Sequence, residues 1–461
     1  MLMRYITKIS VKKWAIAMVV MPLLLLSYVQ ATPYEKNTRV CFIGDSITHK
    51  GFYPYYIRLF YSLRRPEKPV YFFNCGIAGG TAKTANSVYQ WDIKAKNIDA
   101  ATIMLGMNDV GQNFGSQYQT PKEINSNVEK QISAVKGISL LSKRLLTDEI
   151  QISLITPSIY DQTASFNSSK PNLLGKNDAL KYISQHVNAL ATKHSLPLFD
   201  FQKATFTANE KLQQQNPKAT VIGKDRVHPA EVGHFLMAHE FLTKQEFSPF
   251  ISKTIIDIDK GKVIEALNNK ISDLKITVDE VSFTSLESSL PFPIPEEAKS
   301  ALALIPFNQT LNQQHLQLQG LETGLWTVYI DDIEIGQYLA KTLDTGINLA
   351  ENTKTPMYQQ ALQVAQKSYL ASELDANILR GITWIKAFLL RDDKLNINNL
   401  IAVEKHLHEK LPKKSFQQKQ SKIYLANYQQ EQKIEQQVFS FFKQSYKLSQ
   451  PITHSFTFRK L

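Results

Sequence analysis

From Thr38 to about Phe250, short apolar runs of strand length alternate with amphipathic stretches of helical spacing. That alternation restricts this part of the chain to a parallel sheet whose crossovers are helices. The strands are expected over Arg39 to Gly44, Val70 to Gly76, Ala100 to Gly106, Ile150 to Thr156 and Leu196 to Asp200. Between them Tyr56, Leu59, Phe60 and Leu63 recur at i, i+3, i+4 and i+7, and Leu180, Ile183, Val187 and Leu190 keep a similar face, so both segments read as helices with one buried side. Five strands and their helices predict an α/β fold, a flavodoxin-like three-layer α/β/α sandwich.

Past Phe250 the texture changes. Asp279 to Tyr338 carries short alternating segments such as Trp326, Val328 and Ile330, punctuated by Pro291, Pro293, Pro295 and Pro306, which predicts a small β unit. From Pro356 onward the stripes are helical, with Ile378, Ile382, Ile385 and Leu389 on one face and Ile423, Ile434, Val438 and Phe441 or Phe442 on another. The length of 461 residues also exceeds one compact domain. The expected division is a three-layer domain over 32–250, a linker helix and small β unit over 251–350, and a helical region over 351–461 packing on the rest.

The first residues carry Arg4, Lys8, Lys12 and Lys13, then an apolar run from Trp14 to Val29, then Val29-Gln30-Ala31. A charged start, an apolar core and a small-residue site read as a signal peptide over 1–31 and place the mature chain in the periplasm or outside the cell. A retained N-terminal membrane anchor is the alternative. The net charge of +12 is mostly Lys scattered through Gln-rich helices, and it lacks the clustering of Arg with aromatics that a nucleic-acid face requires. Cys41 and Cys75 are the two cysteines; they fit no zinc spacing, and two buried core thiols are the preferred reading, with a disulfide as the alternative.

Four segments carry chemistry, and each follows a strand or precedes a helix. Gly44-Asp45-Ser46 ends the first strand, where open α/β sheets bind ligands. Asn74-Cys75-Gly76-Ile77-Ala78-Gly79-Gly80 ends the second, and Gly76 lets the backbone offer an N–H at close range. Gly106-Met107-Asn108-Asp109 ends the third, and the Asn108 amide is a donor for a developing oxyanion. Asp225-Arg226-Val227-His228-Pro229 precedes a helix expected near Ala230; it supplies a base and, three residues away, an acid to orient it. Taken singly, the first three segments read better as a capping serine, a tight turn and a turn or cap residue, and the fourth reads equally well as a surface Asp and a capping His. His234 and His239 sit five residues apart on different helix faces with no carboxylate to complete a metal set, so neither metal nor cofactor is expected.

Together, in this order, the four resemble blocks I, II, III and V of the SGNH (GDSL-type) hydrolase family. Ile47 stands where the family has leucine. The resemblance covers about Arg39 to Leu242 and implies Ser46 as nucleophile, His228 as general base, Asp225 as its orienting partner, and Ser46, Gly76 and Asn108 as the oxyanion hole. The stretch from Gly320 to Asp332, followed by Thr345 to Ala350 and Thr355-Pro356, is similar to the C-terminal extension of bacterial members associated with carbohydrate de-esterification. Asp331-Asp332 stands where those chains usually have Asp-Gly. The implied activity is hydrolysis of acyl esters, acetyl first, on a carbohydrate or another ester-bearing molecule. Lipid or thioester hydrolysis and a non-catalytic carbohydrate-binding or structural module are the alternatives.

Overall fold

The structure is a computed structural model that describes residues 30–112, 114–115, 120–166, 171–390, 399–410 and 415–461. The signal segment expected over 1–31 lies outside the described residues except for its last two.

The first domain runs β1 (Arg39–Gly44), α1 (Ser46–His49), α2 (Phe52–Arg64), β2 (Tyr71–Gly76), α3 (Ala82–Val88), β3 (Ala100–Met104), α4 (Pro121–Thr147), β4 (Gln151–Ile155), α5 (Lys176–His194), β5 (Leu198–Phe199), α6 (Phe201–Gln215) and α7 (Glu231–Thr243). Its five strands are all parallel, in the order β2-β1-β3-β4-β5, which is the expected flavodoxin-like arrangement. The central strands β1 and β3 are buried from end to end, because helices cover both faces of a parallel sheet. The chain leaves β1 toward β2 on one side and returns to β3 on the other, so the crevice opens at the carboxyl ends of β1 and β3.

Residues 251–350 do not open with a linker helix. They open within β6 (Phe250–Asp257), followed by β7 (Lys262–Leu267), β8 (Asn269–Ile276), β9 (Glu280–Glu287), α8 (Phe307–Leu311), β10 (Gln313–Gln319), β11 (Leu325–Ile330), β12 (Ile333–Leu339), α9 (Ala340–Thr345) and β13 (Ile347–Asn348). Ile251, Ser252, Thr254, Ile256 and Asp257 are buried, with Phe250, Lys253 and Ile255 partly exposed between them, and a mixed eight-residue segment of this kind carries no clean period in the sequence. The helical region then contains α10 (Pro356–Glu373), α11 (Arg380–Phe388), α12 (Leu400–Lys410), α13 (Ser415–Asn427) and α14 (Glu431–Leu448), and it ends in a strand, β14 (Thr453–Lys460). The alternation of buried His454, Phe456 and Phe458 with more exposed neighbours drives that last strand. It fills the centre of the sheet β12-β11-β14-β9-β8, beside the second sheet β13-β10-β6-β7. The β unit is therefore two sheets, completed by the chain's own C-terminus.

The helices seal the open edge of the first domain. Phe442 packs on Phe73 and Phe439 on Tyr71, with ring centroids 6.0 Å and 4.7 Å apart, and Arg58 Nη2 donates to Ser368 O at 3.1 Å. Cys41 and Cys75 form a disulfide rather than two free thiols, with Cα atoms 5.9 Å apart. They are diagonal neighbours on β1 and β2, since Cys41 is in register with Phe73 and Cys75 with Ile43, a separation within the range a disulfide spans. At the β11–β12 hairpin Asp331 and Asp332 both have positive φ, 49° and 63°, so the Asp-Asp pair still makes the type I′ geometry. Asp331 is held there by its side chain, which accepts from Ser455 N at 2.8 Å and pairs with His454 Nδ1 at 2.6 Å.

Glu287 is buried where the two sheets meet, accepting from Ser252 Oγ at 2.9 Å and Gln314 Nε2 at 2.7 Å. Burial pushes its carboxyl up to about 7, against those two hydrogen bonds, which lower it. An acid whose folded pKa is raised binds a proton that the unfolded chain has already lost, so stability falls as pH rises from the ordinary carboxylate range to about 7. Glu287→Gln should flatten that slope and stabilise the protein above neutral pH by on the order of 2 kcal/mol. Urea unfolding between pH 4.5 and 8 measures it; equal slopes in the two proteins would contradict the assignment.

Candidate active site

Backbone closeness builds the site. Helix α1 lies directly over the ends of β1 and β2, and a Cβ on Gly44 would fall 2.0 Å from Thr48 Oγ1. One on Gly76 would fall 2.3 Å from His49 N. Only glycine fits either position, and Ser46 is thereby fixed in the first turn of α1 at the crevice. Asp45 caps that turn, accepting from Ile47 N at 2.9 Å, and burial pushes its carboxyl up to about 6. Asp109 plays the same part for α3, accepting from Ala82 N at 2.8 Å, and burial raises it to about 6 as well. Both carboxylates serve the backbone.

The loop before α7 brings in the imidazole. His228 Nε2 lies 2.7 Å from Ser46 Oγ, across 182 positions of sequence, and His228 Nδ1 lies 2.5 Å from Asp225 Oδ2. The other Asp225 oxygen accepts from Val227 N and His228 N, each at 3.0 Å. Partial burial works to raise the Asp225 carboxyl, but the hydrogen bonds from His228 and Val227 outweigh it and hold the group far below the usual carboxylate range. An ionised carboxylate only accepts, so Nδ1 carries the proton and Nε2 offers its lone pair to the Ser46 hydroxyl. Pro229 stands just outside α7, one position before the Ala230 cap.

Arg226 was not singled out in the sequence, yet it shapes this loop. Its backbone takes φ 66°, a strained value for a side chain of its size. Its guanidinium donates from Nη1 to Asp161 O and Ala164 O, at 2.9 Å and 3.1 Å, and stacks on the Phe166 ring. The surrounding contacts over-determine the strain.

The second motif works differently from its sequence expectation. The Gly76 N–H donates to Asn74 Oδ1 at 2.9 Å and is not an open donor. Asn74 is a clamp whose Nδ2 also donates to Thr48 O and His49 O, both at 3.0 Å. The open donor is three residues on. Ile77 to Gly80 form a turn closed by Gly80 N to Ile77 O at 2.8 Å, with Gly79 at φ 73°, the type II arrangement that requires glycine at its third position. Gly79 is exposed and its N–H makes no hydrogen bond among the described residues. Asn108 reaches the same turn, its Nδ2 donating to Gly80 O at 3.0 Å, which leaves its second amide hydrogen available. The Ser46 N–H likewise has no acceptor among the described residues.

His234 and His239 are not part of the line from Asp225 through His228 to Ser46. His234 is fully buried with its ring against Phe52 and Tyr53, and burial lowers it to about 3. His239 pairs with Thr310 Oγ1 at 2.9 Å.

Serine, imidazole and carboxylate thus meet at the carboxyl edge of the parallel sheet. Residues 40–241 match the family described as GDSL-like Lipase/Acylhydrolase. An acetylxylan esterase of Geobacillus stearothermophilus is 27% identical over 227 residues, which span 45% of this chain and 94% of that protein. A solved structure of a gut microbial diltiazem-metabolizing enzyme superposes over 94% of this chain and 99% of its own, with TM-score 0.87 and 28% identity. The two-sheet unit and helices are therefore shared with a known enzyme.

The two glycines should separate on substitution. Gly76→Ala places its methyl against backbone that cannot move and should cost ~3 kcal/mol or more. Gly79→Ala meets nothing within 4 Å and should cost only the strain of its positive φ, about 1 kcal/mol. Thermal unfolding of both variants checks this; equal losses would contradict the local geometry.

Proposed function

We propose that the chain is an exported serine esterase that removes acetyl groups from a carbohydrate through an acyl-enzyme on Ser46. The observation that carries this reading is the continuous line from Asp225 through His228 to Ser46 Oγ, with contacts of 2.5 Å and 2.7 Å. His228 takes the Ser46 proton as the oxygen attacks the ester carbonyl, and Asp225 holds the imidazole in the required tautomer and stabilises its charge. The oxyanion forms against the N–H groups of Ser46 and Gly79 and the Asn108 amide, with Gly79 in the role that the resemblance gave to Gly76. His228 then returns the proton to the departing alcohol, and a water activated by the same imidazole releases acetate.

The acetyl-carbohydrate preference is supported by the acetylxylan esterase likeness. It also fits an exposed site: the side chains of His228 and Asp225 are 38% and 40% accessible, so a large alcohol can reach them. Export is supported by the charged and apolar N-terminal segment and by the Cys41–Cys75 disulfide, a bond at home in oxidising compartments.

Ser46→Ala should abolish hydrolysis of p-nitrophenyl acetate, and Asn108→Ala should lower kcat about 100-fold or more. Acetate release from acetylated xylo-oligosaccharides, set against long-chain p-nitrophenyl esters and acyl thioesters, tests the substrate. Preference for the long chains would overturn the carbohydrate assignment, and no turnover of any ester would leave only a binding module.

A further inference from the structure

We infer that the C-terminal helices belong to the catalytic apparatus, and that Trp384 of α11 is a positioning residue that fixes the orientation of the Gly79 amide. This rests on the esterase reading above, in which that amide binds the oxyanion.

Trp384 Nε1 donates to Ala78 O at 2.9 Å, across 306 positions of sequence. Ala78 O and Gly79 N–H belong to one peptide group, and in a planar trans peptide the carbonyl and the N–H point in opposite directions. Holding the carbonyl therefore aims the N–H. This peptide is the central one of the 77–80 turn, and types I and II differ by a rotation of that unit through about a half-turn. Glycine at 79 makes both orientations accessible.

The other contacts fix the ends of the turn and leave its middle free. Ile77 N donates to Gly44 O at 3.0 Å, and Gly80 O accepts from Asn108. Ala78 N donates to His49 Nδ1 at 3.2 Å, and burial lowers that imidazole to about 3, leaving it neutral as an acceptor. The indole is the group that holds the central carbonyl. Its donation also polarises the peptide and strengthens the opposite N–H as a donor.

Trp384 is itself well anchored. It is 6% exposed and packs against Phe388 and Phe416, with ring centroids 5.2 Å and 5.5 Å away. Helix α11 is tied down at its start by Arg380, whose Nη1 and Nη2 donate to the two oxygens of Asp92 at 2.8 Å and 2.7 Å in a fully buried pair. One turn earlier Asp375 Oδ2 accepts from Asn74 N at 3.1 Å. The extension thus grips both ends of the motif, at Asn74 and at Ala78.

Trp384→Phe keeps a ring and removes the donor. With p-nitrophenyl acetate, kcat per serine titrated by a fluorophosphonate should fall about 10-fold or more, with KM within about threefold. The inhibition constant of benzeneboronic acid, which forms a tetrahedral adduct on the serine, should rise in parallel with the loss in kcat. A purely structural role would lower the titrated fraction or the Tm and leave kcat per titrated serine unchanged, and that result overturns the inference. Raised KM at constant kcat overturns it too, since it makes Trp384 a substrate contact. If the Phe variant does not fold, β-(3-benzothienyl)alanine at 384 keeps the ring outline without the N–H and decides by the same readouts. Wild-type protein that the fluorophosphonate does not label, or Ser46→Ala that remains active, refutes the esterase reading instead.

Discussion

Helix α1 lies so close to the carboxyl ends of β1 and β2 that neither Gly44 nor Gly76 has room for a side chain. That packing is the constraint on which the site depends. It fixes the Ser46 hydroxyl at the crevice between β1 and β3, and the His228 loop then needs to span only one hydrogen bond, 2.7 Å long. Asn74 locks the approach by bonding simultaneously to Thr48, His49 and Gly76. The motif's first glycine therefore serves packing, and its later glycine, Gly79, keeps an N–H with no partner among the described residues.

The two halves of the chain are not a catalytic domain with an appendage. The last strand, β14, sits at the centre of a sheet built otherwise from residues 269–339, so that unit closes only when the C-terminus arrives. The helices between cover the β2 edge, which would otherwise be open for pairing, and in doing so carry Asp375, Arg380 and Trp384 to the back of the crevice. Electrostatics favour the same picture, because the Arg380–Asp92 pair is buried and its two hydrogen bonds satisfy both carboxylate oxygens, which is the condition under which a buried pair holds together.

Much of this was legible in the residues. Strand positions in the first domain followed from apolar runs, and β1 begins and ends at the expected residues. Asp225, His228 and Ser46 lie in one hydrogen-bonded line, and Asn108 reaches the turn after β2 at Gly80 O. Other features depend on contacts that spacing does not encode. Gly76 reads as the donor in the sequence, and only the contact from its N–H to Asn74 shows that it is taken. The β6 strand was hidden because Ser252, Thr254 and Asp257 are buried beside Ile251 and Ile256, so its apolar residues alone trace no strand period. Arg226, Asp375 and Trp384 act across 60 to more than 300 positions, and nothing local marks them. The Cys41–Cys75 bond required the register of β1 on β2.

The central claim is that Ser46 becomes acylated with His228 as its base. Acid-quenching the protein within its first turnovers of p-nitrophenyl acetate and mapping the peptides by mass spectrometry tests this most directly. The account requires an acetyl group on the peptide bearing Ser46, accumulating in a burst and then turning over. Acetyl on another residue, or steady hydrolysis with that peptide unmodified, would contradict it.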